Sequence, residues 1–232
     1  MVTPWEDLVA NGTVHIENGI VYTDVDVDEW INASSDILAG DLVLPYDGTV
    51  IKVGDYDYDS GEGDAYVAFA ACANLTGVLI PNTVTSIGNA AFDSCTALTD
   101  IDIPNSVTEI QDGAFFDCSI TNIIIPNSVT SIGSNVFDSC NSLVNVVLSE
   151  SLTAISMYAF HQCYALESVT IPITVENIDS CAFGFCSSLK EIKYAGTKAQ
   201  WNNIVKPVDW DIHADNYTVY CTDGNIVKAE EK

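Results

Sequence analysis

The sequence contains no arginine, and no lysine between Lys52 and Lys190. With 33 acidic and 7 basic residues its formal net charge is −26. Such a chain repels phosphate backbones and anionic lipid, which argues against nucleic-acid and membrane-surface partners. It has no apolar run of about eighteen residues, so no segment reads as a membrane-inserting span. The opening residues, MVTPWEDLVANG, carry neither a basic stretch nor an apolar core, so no signal peptide is expected. A glycine-rich phosphate loop is absent as well. The histidines His15, His161 and His213 lie in different segments, and no Ser-His-Asp or Cys-His order stands out. The chain does not read as an enzyme.

What is present is a repeat. Phenylalanines stand at Phe69, Phe92, Phe115, Phe137, Phe160 and Phe183. Cysteines follow three residues later, at Cys72, Cys95, Cys118, Cys140, Cys163 and Cys186. Both series step by 23, 23, 22, 23 and 23 residues. A fixed period of this length marks a solenoid, in which each coil stacks only on its neighbours. A stacked solenoid offers a long surface rather than a pocket.

From its cysteine, one coil reads CTALTDIDIPNSVTEIQDGAFFD. Ile101 and Ile103 alternate with Asp100 and Asp102, a period of two that predicts a strand with one buried face. Pro104 lacks an amide proton and ends that ladder, and Asn105 and Ser106 form a turn. Val107 to Ile110 makes a second short extended piece. The segment up to Phe115 and Cys118 is too short for a stable helix and is expected to form a single helical turn. Stacked about 4.8 Å apart, the first strands make a parallel sheet of six. The 22-residue step falls between Cys118 and Pro126, and the fourth coil has Ser149 where the others have proline. A deletion in a loop is expected to leave the downstream register intact.

These residues resemble the BspA-like branch of the leucine-rich repeats, whose coils run close to IPNSVTSIGSNVFDSCNSLVNV at Ile125 to Val146. The match covers about residues 70 to 195. It implies a right-handed leucine-rich-repeat solenoid with short parallel strands on one side, single helical turns on the other, and β-rich caps at both ends. Where the common leucine-rich consensus places Asn or Cys after the last strand leucine, this chain has Thr83, Ser106, Ser128, Ser151 and Thr174. Their hydroxyls are expected to satisfy the inward backbone in place of an asparagine ladder.

Residues 1–40 carry a hairpin signal, VHIENGIVYTDVDV, with Asn18-Gly19 at the turn, and read as a β element that caps or docks the array. Residues 41–195 read as the solenoid, with a degenerate first coil at 41–68 and an acidic insertion at 55–66. Residues 196–232 read as a C-terminal cap. There Thr197 caps a short helix presenting Trp201 and Ile204, and a hairpin follows with Asp223-Gly224 at its turn.

The repeat cysteines run parallel into the core, a poor geometry for disulfides, and are expected to be free and buried; Cys181 and Cys221 lie outside the ladder. No cofactor is expected. The weak metal candidate is Asp55, Asp57 and Asp59, which resemble the opening of a calcium loop, although Ser60 and Tyr66 replace its glycine and glutamate. A solvated acidic loop is the plainer reading.

The candidate partner-binding residues are the middle outward positions of successive strands: Leu79, Asp102, Ile124, Val147, Thr170 and Lys193. Three of these are apolar and would face solvent, which suits a binding strip. The competing explanation is that β-branched residues simply suit a parallel sheet. The resemblance implies a non-catalytic adhesion or attachment module displayed outside a bacterial cell, contacting a protein or glycan. The open alternatives are a structural protein of a bacteriophage particle, such as a fibre or decoration protein, and a carbohydrate-binding module.

Overall fold

The computed structural model describes residues 15–17, 20–22, 40–43, 52–53, 69–214 and 216–228. Strands β1 (His15–Glu17) and β2 (Ile20–Tyr22) form an antiparallel hairpin. They are followed by β3 (Gly40–Val43) and β4 (Lys52–Val53). The repeating coils then contribute two strands each: β5 (Leu75–Leu79) and β6 (Ser86–Ile87), β7 (Asp100–Asp102) and β8 (Glu109–Ile110), β9 (Asn122–Ile124) and β10 (Ser131–Ile132). The series continues with β11 (Asn145–Val147), β12 (Ala154–Ile155), β13 (Ser168–Ile171) and β14 (Asn177–Ile178). The chain closes with β15 (Glu191–Tyr194), helix α1 (Lys198–Asn203), β16 (Thr218–Cys221) and β17 (Gly224–Val227). The result is a β-solenoid, built as the alternating strand pattern predicts.

The first strands do not make one sheet of six. They divide into β3-β5-β7 and β17-β16-β15-β13-β11-β9. The division falls at the 22-residue step, where the chain reaches its strand one residue early. The entry bond from Thr121 N to Thr99 O survives at 3.2 Å, but β7 and β9 do not pair. Beyond it the register recovers, with Asn145 opposite Asn122 and Val147 opposite Ile124. The second strands continue across the step, from the amino-terminal hairpin through β4, β6 and β8 to β10. They are interrupted one coil later, in the coil that lacks its proline. There Ser149 donates its buried hydroxyl to Val129 O at 2.7 Å, and Ser156 donates its own to Ile132 O at 2.7 Å.

The opposite side corrects the expected helical turns. Each Phe-Cys segment is a run of β-turns in which local bonds alternate with bonds to the next coil. Asp93 N reaches Ala90 O, whereas Phe92 N and Ser94 N reach Ala114 O and Phe116 O. The device that aims these amides outward is a left-handed residue two places after each phenylalanine. Ala71, Ser94, Asp117, Ser139, Gln162 and Phe185 all have φ between 51° and 62°. Such a conformation costs a non-glycine residue about 1–2 kcal/mol, offset by an intercoil hydrogen bond of about 0.5–1.5 kcal/mol. It also stops a helix from propagating.

Inside, the phenylalanines form one column, with neighbouring ring centroids 5.3 to 5.6 Å apart and planes within 18°. Trp210 ends the column edge-on against Phe183, at 6.0 Å and 88°. The cysteines stand beside it, buried and free. From the second coil on, each donates its thiol to the phenylalanine carbonyl of the preceding coil: Cys95 to Phe69, Cys118 to Phe92 and Cys140 to Phe115 at 3.1 Å, Cys163 to Phe137 at 3.2 Å, and Cys186 to Phe160 at 3.1 Å, whereas Cys72 donates to Ala70 O at 3.9 Å. This thiol ladder does the work expected of the hydroxyls. Thr83, Ser106 and Ser128 instead enclose hydroxyl oxygens without a partner, while Ser151 alone of that row is seen donating, to Asn127 O at 2.7 Å.

In the C-terminal cap, Thr197 and Gln200 form the capping box of α1, and Trp201 and Ile204 are buried, as their spacing predicts. Asp223 Oδ1 accepts from Lys198 N at 2.8 Å, tying the hairpin to the helix start. The turn lies one residue earlier than expected: Cys221 pairs with Gly224, which begins β17 at φ 125°. Asp211 is buried between the Tyr217 hydroxyl and Lys228 Nζ, anchoring the end of β17.

Candidate functional site

The outward row of the strands is in register on either side of the break between β7 and β9. Leu79 lies opposite Asp102, and Ile124 opposite Val147; Val147 in turn neighbours Thr170, and Thr170 neighbours Lys193. Alternation along each strand buries Ile123, Ile125, Val146 and Leu148, which forces Ile124 and Val147 outward. Ile124 is 69% exposed, Leu79 47% and Val147 39%. No inward packing accounts for these side chains. Beta propensity explains their shape but not the absence of a cover among the described residues.

Four of the row, Asp102, Ile124, Val147 and Thr170, line one open groove of about 770 Å³. Leu79 and Lys193 stand in the row beyond its ends, and Lys193 Nζ lies 3.4 Å from its own strand neighbour Glu191. Sequence reasoning missed the second wall, formed by Asn105, Asn127, Glu150 and Ile173. Each lies three residues after a member of the first row, so the same period would have found them. Asn127 Oδ1 accepts the Glu150 amide at 2.9 Å, joining neighbouring coils within that wall. Ile173 is 49% exposed and extends the apolar floor. The row itself runs on to Tyr220, opposite Lys193, through a cap strand whose place in the sheet no repeat signals.

Elsewhere the chemistry is structural. His161 is half-buried with Nδ1 3.0 Å from Asp138 Oδ1. Ser139 Oγ also binds Asp138, at 3.1 Å, so the hydroxyl sits on the carboxylate rather than on the imidazole. Burial pushes the Cys140 thiol up to about 12. Cys72, Cys118, Cys163 and Cys186 are likewise raised by burial, the opposite of an activated nucleophile. The calcium candidates Asp55, Asp57 and Asp59 lie outside the described residues. Among the described residues no three metal-ligating side chains come together, and no helix is long and apolar enough to cross a membrane.

A family profile described as "BspA type Leucine rich repeat region" matches six copies over residues 65–194. The chain belongs to the BspA-type leucine-rich-repeat family. Its fold is similar to the crystal structure of the Treponema pallidum leucine-rich-repeat protein TpLRR, at 30% identity, over 84% of this chain and 85% of that one, with a TM-score of 0.64. A leucine-rich-repeat protein from Eubacterium ventriosum is similar at 21% identity, over 77% of this chain and 56% of that one, with a TM-score of 0.52. No protein of curated function matches. The family and fold are typically non-catalytic and suit protein binding, and BspA-type proteins are often surface-associated.

Proposed function

We propose that this protein is a non-catalytic attachment module that binds a protein partner at a bacterial cell surface through the groove on its sheet face. The carrying observation is the in-register pair Ile124 and Val147, both exposed on the floor of that groove. An exposed apolar strip framed by polar walls has the anatomy of an interface centre. The surface habit of BspA-type proteins supports the location.

The test replaces both residues by serine, which removes apolar area without adding charge. Covering such a side chain contributes about 1.5–3 kcal/mol. With two such side chains removed, attachment of the labelled protein to intact cells is expected to weaken at least about a hundredfold, with the melting temperature unchanged. Undiminished attachment by a folded variant would exclude the groove.

A further inference from the structure

We infer that the groove takes a cationic, extended protein segment, one that lays an aliphatic side chain on Ile124 and Val147 and brings lysine or arginine to Asp102 and Glu150. This rests on the groove being the binding surface and specifies its ligand. Both carboxylates line the groove and are exposed, and neither has an ion-pair partner among the described residues.

The chain's own cations are placed elsewhere. Residues 69–189 hold eleven acidic residues (Asp93, Asp100, Asp102, Glu109, Asp112, Asp117, Asp138, Glu150, Glu167, Glu176 and Asp179) and no lysine or arginine. Of the described lysines, Lys52 stands in β4, in the sheet of the second strands, and the others are at position 190 or later. Lys190, Lys193 and Lys228 pair with Glu167, Glu191 and Asp211, and Lys206 donates to the Trp201 and Ile204 carbonyls. The carboxylates over the groove are therefore left for a partner.

The same charge repels sulfated, phosphorylated or otherwise anionic ligands. No aromatic side chain lines the groove to stack a sugar ring. Length completes the match. From Asp102 to Thr170 the row crosses four strands, about 14 Å at 4.8 Å per step, which holds about four extended residues at 3.4 Å each.

The test uses three synthetic nonapeptides with one aliphatic centre flanked by lysine, serine or glutamate, titrated against the full chain by fluorescence anisotropy. The lysine-flanked peptide is expected to bind at least about fivefold tighter than the serine-flanked one, the effect of two partly exposed ion pairs. The glutamate-flanked peptide is not expected to bind. Asp102→Asn with Glu150→Gln should erase the lysine advantage. Asp117→Asn with Asp179→Asn, removing equal charge away from the groove, should preserve it within twofold.

Equal binding of the three peptides, no binding by any, or equal losses in the two double variants would overturn the inference. If Ile124→Ser with Val147→Ser abolishes cell attachment while Asp102→Asn with Glu150→Gln leaves both attachment and peptide binding unchanged, the cationic ligand is wrong and the groove stands. If the serine variant also attaches normally, both readings fall.

Discussion

The thiol of Cys140 donates a hydrogen bond of 3.1 Å to the backbone carbonyl of Phe115, one coil earlier. Repeated down the array, this contact makes the cysteine a backbone partner as well as a filler. Cys140→Ala should cost about 1–3 kcal/mol, since it leaves a buried carbonyl short of a donor. Denaturant midpoints of wild type and variant measure it; a loss below about 0.5 kcal/mol would reduce the ladder to packing.

The ladder also sets a pH dependence. Cys140 titrates near 12 in the fold against an ordinary value of 9.0, because burial disfavours the thiolate. Its stabilising contribution is complete below 9.0 and is lost as pH rises from there through 12. In that window the unfolded chain sheds protons that the folded chain keeps, about 1.4 kcal/mol per pH unit for each such thiol. Cys72, Cys118, Cys163 and Cys186 shift in the same direction. Urea midpoints should therefore fall steeply above pH 9, and a flat profile from pH 8 to 10 would contradict the buried, reduced ladder.

Gln162 holds φ at 55° on the turn side. Gln162→Gly removes the left-handed strain and gives back part of the gain in unfolded-chain entropy, for a net increase of about 0.5 kcal/mol. Gln162→Val should lower stability instead. Thermal or urea midpoints check the sign of the glycine effect, which would be reversed if the segment were helical.

Much of this fold was legible in the sequence because its signals are local. The alternation of Asp100, Ile101, Asp102 and Ile103 sets the strand faces, and the recurrence of phenylalanine and cysteine sets the coil. The outward row follows from both, and with it Ile124 and Val147. What was not legible depends on contacts between coils. Ser94 and Gln162 carry no mark of left-handed backbone, since that conformation is held by a neighbour's carbonyl. The missing residue before Ile120 reads as a harmless loop deletion, yet it separates β7 from β9. Glu150 and Ile173 occupy the coil position that Asn105 holds in its turn, and only the stack places them across from Val147 and Thr170.

That separation has a measurable consequence. β11 pairs with both β9 and β13, whereas β7 and β9 do not pair. Hydrogen exchange should be faster at residues 100–102 and 122–124 than at 145–147 and 168–170. Uniform protection across the array would mean that the sheet is continuous.

Where a partner touches the molecule is measured most directly by site-specific cross-linking. A photoreactive phenylalanine analogue at position 124, on the groove floor, is compared with the same analogue at position 208, an exposed site outside the groove. Both proteins are irradiated on intact cells to which the unmodified protein attaches. A discrete covalent protein adduct is expected from position 124 and none from position 208. Adducts from position 208 alone, or of equal yield from both, would contradict it.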